Sequence, residues 1–117
     1  MNCNIRPSDA FLKEFKRLYK RYKSLKSDVD GLVASLKDRP DQGADLGGGV
    51  RKVRMRIASK GKGKSGGARV ITLNVLVSVT DLDVWLLTIY DKSECESISD
   101  SEIQALRRQV ETGGAGT

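Results

Sequence analysis

The sequence predicts an α+β domain of order α-α-β-β-β-α, a helical hairpin and a C-terminal helix packed on a small antiparallel sheet. Three observations carry this expectation. Apolar residues recur at helical spacing up to Leu36, they alternate at spacing two from Val50 onward, and a helix-opening signature follows at Ser99.

Phe11, Leu12, Phe15, Leu18, Tyr19 and Tyr22 form the stripe of the first amphipathic helix, with Ser8 or Asp9 as its cap after Pro7. These aromatics read as core rather than as a base-stacking platform. A second stripe, Leu25, Val29, Leu32, Val33 and Leu36, follows a short break near Ser24 and ends before Pro40. The link is short enough for a helical hairpin. Residues 41–49, DQGADLGGG, read as loop. In residues 50–58, VRKVRMRIA, Val53, Met55 and Ile57 alternate with Lys52, Arg54 and Arg56, which predicts a half-buried strand with one cationic face. Residues 68–79 are a long β-branched run and residues 84–91 another apolar one, separated by TDLD. Three strands joined by local turns make an antiparallel meander. Ser99-Asp100-Ser101-Glu102 is a capping box, and Ile103, Leu106 and Val110 stripe the last helix. Gly113 is expected to stop it, so the domain is placed at 1–112 and a disordered tail at 113–117.

The chain contains no histidine, which removes the usual general base and the commonest metal ligand. Its carboxylates lack the spacing of a calcium loop, so neither a metal nor another cofactor is expected. Cys3 and Cys95 are too few for a disulfide framework and are expected to be reduced. With no 18-residue apolar run and no apolar leader, the reading is cytoplasmic, away from membranes.

Net charge is +6 and unevenly distributed. Residues 1–26 carry eight Lys/Arg against Asp9 and Glu14, while residues 50–69 carry eight with no acid among them. From Asp81 onward acids outnumber Lys92, Arg107 and Arg108. Such asymmetry points to a polyanion on one face. For the first segment a plain solvated surface explains the charge nearly as well.

Residues 58–65, ASKGKGKS, differ by one substitution from the phosphate-cradling pattern G-x-x-x-x-G-K-[ST]. That pattern needs its first glycine for a tight turn and a helix after it, whose N–H groups meet the phosphates. Ala58 stands at the glycine position, and a β-branched strand follows Gly67. The nucleotide-cradle reading fails on context. A spacer accounts for the glycines, but Lys60, Lys62 and Lys64, set between Arg56 and Arg69, suit a phosphate backbone better.

Lys52, Arg54 and Arg56 project from one strand face about 7 Å apart. Arg69 opens the next strand, and Tyr90 and Lys92 end the third. Without metal or histidine, such a surface suits attack of an RNA 2′-hydroxyl on the adjacent phosphodiester. Fixed guanidinium groups stabilise the added negative charge of the transition state, a neutral lysine can accept the proton, and a tyrosine such as Tyr90 or an arginine can assist the leaving 5′-oxygen. Spacing alone supports a nucleic-acid-binding surface capable of nuclease chemistry.

The segments GGGVRKVRMRIASKGKGKSGGARVI and VWLLTIYDKSE resemble the RelE/ParE toxin superfamily, especially its HigB-like branch. The likeness spans roughly residues 8–110 and is clearest from Gly48 to Glu94. It implies two helices, an antiparallel sheet and a C-terminal helix. It also implies a type II toxin acting as a ribosome-dependent mRNA endoribonuclease, silenced by a cognate antitoxin with which it forms an oligomer. Carried over, Lys52, Arg54 and Arg56, then Arg69 and Lys92, occupy the family's basic site positions. The lysine loop takes the place of a contact to ribosomal RNA or mRNA. Many RelE-like members have a tyrosine a few residues after the last basic position, where this chain has Ile98. Tyr90 either substitutes for it or faces the core. Two other readings stay open on the same fold, a ParE-like inhibitor of DNA gyrase and a non-catalytic RNA-binding module.

Overall fold

A computed structural model describes residues 1–60 and 67–114, with side chains through Glu111. Five strands form one mixed sheet in the order β1-β5-β4-β3-β2. They are β1 (Asn2–Pro7), β2 (Ala44–Gly47), β3 (Val50–Met55), β4 (Ala68–Leu76) and β5 (Asp81–Asp91). Helices α1 (Asp9–Tyr19) and α2 (Leu25–Asp38) precede β2, and α3 (Asp100–Arg108) follows β5. The three expected helices and the meander of β3, β4 and β5 are present. The sheet gains an edge strand on each side, and β1 runs parallel to β5, so the expected all-antiparallel sheet is corrected to a mixed one.

Three layers result. On one face Val53, Met55, Val70, Leu86 and Ile89 pack against Phe11, Leu18, Leu25, Leu32 and Leu36 of the hairpin. On the other, Val50, Ile71, Leu73 and Leu87 pack beneath Ile103 and Val110. The central strand β4 is therefore covered on both sides, which is why its run is β-branched rather than alternating. In α1 the apolar stripe is wider than its buried face, for Leu12 and Tyr19 remain exposed. Helix α2 ends at Asp38, ahead of Pro40 as its spacing requires. The Ser99–Glu102 capping box closes in both directions. Past α3 a wide π-helical turn carries Gln109–Gly114, one residue beyond the expected stop at Gly113. The rest of the expected tail, 115–117, lies outside the described residues.

Ser8 has two roles where β1 hands over to α1. Its Oγ accepts the Phe11 N–H at 3.0 Å as the N-cap, and donates to the Leu87 carbonyl at 2.9 Å. Leu87 is the extra residue of a bulge, since Ile71 pairs with Thr88 and Thr72 with Leu86. The hydroxyl thus ties the start of α1 to the irregular part of β5. Ser8→Ala is expected to lower unfolding stability by about 1–2 kcal/mol, read from denaturant melts.

Candidate nucleic-acid interface

Register brings the basic residues together. Arg54 on β3 lies opposite Arg69 on β4, and Arg69 lies opposite Tyr90 on β5. Directly opposed residues share a face with Cβ atoms about 4.5–5.5 Å apart, so the three form one row across the sheet. Lys52, opposite Ile71, belongs to the next row on that face. Past Met55 the alternation continues, with Arg56 exposed and Ile57 buried. Lys92 extends the ladder one step beyond Asp91, its N–H meeting the Gly67 carbonyl at 3.1 Å.

Some cations of the basic surface are paired within the fold, while others, Lys13, Lys16, Lys20 and Lys23 included, have no ion pair among the described residues. Arg17 and Arg21 share Glu94, Arg17 also holds Glu14, and Arg6 holds Asp83. Part of the N-terminal cationic segment is thereby neutralised within the fold. Among the described residues, Lys52, Arg54, Arg56 and Lys92 have no acidic partner. Arg69 is half-buried, and one guanidinium nitrogen donates to the Ala68 carbonyl at 3.2 Å.

Tyr90 stands at the end of the row but belongs to the α3-side core, with 8% of its surface exposed. Its hydroxyl is buried and finds no hydrogen-bond partner among the described residues. Burial pushes this phenol up, Cys95 adds to the effect and Arg69 opposes it, so the ring is neutral. Beside it a cleft of about 460 Å³ opens between α1, β5 and α3, lined by Thr88, Cys95, Ile98 and Leu106 among others. Ile98 packs against the same core cluster. Cys3 and Cys95 are free thiols.

Lys60 is placed differently from its neighbours in sequence. Its Nζ pairs with Asp91 Oδ1 at 2.9 Å and lies 5.6 Å from the centre of the Tyr22 ring. With its side chain only 17% exposed, Lys60 is committed to the fold instead of standing free for phosphate. Lys62 and Lys64 lie outside the described residues. Asp91 is absent from the residues that sequence spacing nominates. Its only signal is an acid between an apolar run and a lysine, and nothing in that spacing foretells a fully buried carboxylate.

The model of the RelE toxin of the RelE/RelB toxin–antitoxin system matches residues 11–113. The chain belongs to the RelE toxin family. That match begins inside α1, takes in α2, the basic row and α3, and leaves β1 outside it. No curated protein matches the chain. No helix among the described residues is long and apolar enough to cross a membrane.

Proposed function

We propose that this RelE-family toxin is an mRNA endoribonuclease of the HigB-like branch, acting on translating ribosomes and silenced by a RelB-like antitoxin. The in-register row Arg54–Arg69–Tyr90, with uncompensated Lys52, Arg56 and Lys92 around it, is the observation that carries this reading.

In the proposed reaction the substrate 2′-oxygen forms a bond to phosphorus as the bond to the 5′-oxygen breaks. Products are a 2′,3′-cyclic phosphate and a 5′-hydroxyl. Arg54 and Arg69 are assigned to the non-bridging oxygens, where charge builds in the transition state. Arginine cannot accept a proton, so the acceptor for the 2′-hydroxyl proton falls to a lysine at the margin of the row, Lys92 or Lys52. Tyr90, with its hydroxyl covered, supports Arg69 from the neighbouring strand; the guanidiniums meet the charge on the leaving 5′-oxygen, which takes its proton from water or from the lysine that accepted the 2′-hydroxyl proton. Arg56, Lys52 and the loop lysines Lys62 and Lys64 grip the backbone. Clustered cations without a strong proton donor make a weak catalyst alone, and positioning by the ribosome supplies what they lack.

Purified toxin added to translating ribosomes with a defined mRNA is expected to cut at codon-localised sites. Gyrase inhibition with intact mRNA would instead establish the ParE-like reading, and salt-dependent RNA binding without cleavage the binding module. In the same preparation, replacing Arg54 and Arg56 together with alanine is expected to flatten the plot of log affinity against log salt. The slope should fall by about 0.7 for each single-strand phosphate that the variant no longer neutralises. An unchanged slope means these arginines touch no phosphate.

A further inference from the structure

Beneath the basic row, on the hairpin face of the sheet, lies a polar clamp that the proposed reaction does not use. Asp91 ends β5 fully buried. Its Oδ2 accepts the Tyr22 hydroxyl at 2.5 Å, while Oδ1 accepts Lys60 Nζ at 2.9 Å, the Ser93 N–H at 2.9 Å and Ser93 Oγ at 2.7 Å. Burial alone would push this carboxyl up. The bonds from Tyr22, Lys60 and Ser93 outweigh it and hold the group well below the usual carboxylate range. A second set of bonds lies alongside. Ser24 Oγ accepts the Ser59 N–H at 2.8 Å and donates to Asp28 Oδ2 at 2.7 Å, and that same oxygen accepts the Ala58 N–H at 3.2 Å.

Tyr22 and Ser24 sit in the turn between α1 and α2, and Asp28 in the first turn of α2. One corner of the hairpin therefore grips the chain leaving β3, at Ala58–Lys60, and the chain leaving β5, at Asp91–Ser93. Side chains alternate across a strand, so drawing Asp91 toward the hairpin turns Tyr90 to the opposite face, beside Arg69, and sets where the chain leaves for Lys92. The Lys92–Gly67 backbone bond adds one rung to the ladder there. A lysine held against a buried carboxylate is also electrically compensated, which sets Lys60 apart from Lys52, Arg54, Arg56 and Lys92.

We infer that the interhelical turn is a jig for the RNA site: Asp91, held by Tyr22 and Lys60, is a positioning residue that fixes Tyr90 in register with Arg69 and Lys92 in register with Gly67. The inference rests on the nuclease reading for its catalytic consequence, but its structural half is separately measurable.

Removing Asp91 itself takes away every bond of the clamp at once, so the test uses Tyr22→Phe, which deletes one hydroxyl, and Lys60→Met, which keeps the stem and leaves the carboxylate its bonds from Tyr22 and Ser93. Backbone amide exchange at Lys92 is measured in the isolated toxin, and cleavage kinetics and salt slope on translating ribosomes. Both variants are expected to stay folded, with exchange at Lys92 about tenfold faster, kcat lowered about tenfold, and KM and salt slope within twofold of the parent. Unchanged exchange at Lys92 in both variants overturns the jig, as does faster exchange with full kcat. A Lys60→Met variant with raised KM, a flatter salt slope and normal exchange makes Lys60 a phosphate contact and also overturns it. Faster exchange in a toxin whose unsubstituted form cuts no RNA upholds the jig's hold on Lys92 and removes the nuclease reading instead.

Discussion

Arg69→Ala is expected to abolish growth inhibition on induced expression while leaving antitoxin affinity within about threefold. Arg69 is the middle member of the row, opposed by Arg54 on one side and Tyr90 on the other. Its guanidinium is half-buried and tethered at one nitrogen by the Ala68 carbonyl, so its position is set before substrate arrives. A preorganised donor aimed at developing charge is the kind of group whose loss lowers kcat by about 10²–10³-fold, or about 2.7–4 kcal/mol of transition-state stabilisation. Antitoxin binding serves as the control for folding, because an interface of about 20–30 residues a side barely registers one truncated rim side chain. Arg69→Lys keeps the charge but loses the planar fork, and should recover only part of the activity. Tyr90→Phe should keep most of it, since the hydroxyl it removes is covered. Toxicity retained in Arg69→Ala, with cleavage at the parental rate, would show that the row is not the reaction centre.

The two largest features of the fold were legible in the sequence because both rest on local periodicity. A stripe at spacing three and four builds the hairpin, and strict alternation from Val53 to Ile57 sets which face of β3 carries charge. The basic row follows from that alternation once β3, β4 and β5 pair as antiparallel neighbours. The edge strands were not legible. β1 offers only Cys3 and Ile5 as half-buried positions, and its partner lies about 80 residues away in parallel register, which no local turn announces. β2 is four exposed residues, Ala44–Gly47, whose composition is that of a loop. The same limit explains Lys60. Within SKGKGKSGGAR it looks like its neighbours, and only the fold brings Asp91, 31 residues onward, against it. Pairwise charge compensation across elements leaves no mark on a single sequence, whereas the absence of acids from residues 50–69 does.

Gly67→Ala is expected to destabilise the fold by roughly 2–4 kcal/mol and to lower activity beyond that loss. Gly67 has φ +67°, a left-handed conformation that costs an L-residue roughly 1–2 kcal/mol. Space is the second obstacle. A Cβ there would sit 2.6 Å from the Met55 carbonyl oxygen, which is backbone of β3 and cannot rotate aside. Relief requires β3 and β4 to part close to the point where Arg54 faces Arg69. The Gly67 carbonyl also accepts the Lys92 N–H, so the same displacement reaches the end of β5. One methyl group therefore disturbs three members of the proposed site without touching any of their side chains. Denaturant melts should show the stability loss, and at a temperature well inside the folded baseline ribosome-dependent cleavage should still fall at least tenfold. Full cleavage in a destabilised Gly67→Ala toxin would mean that the spacing of the row is slack, and that catalysis does not depend on the register of these three strands.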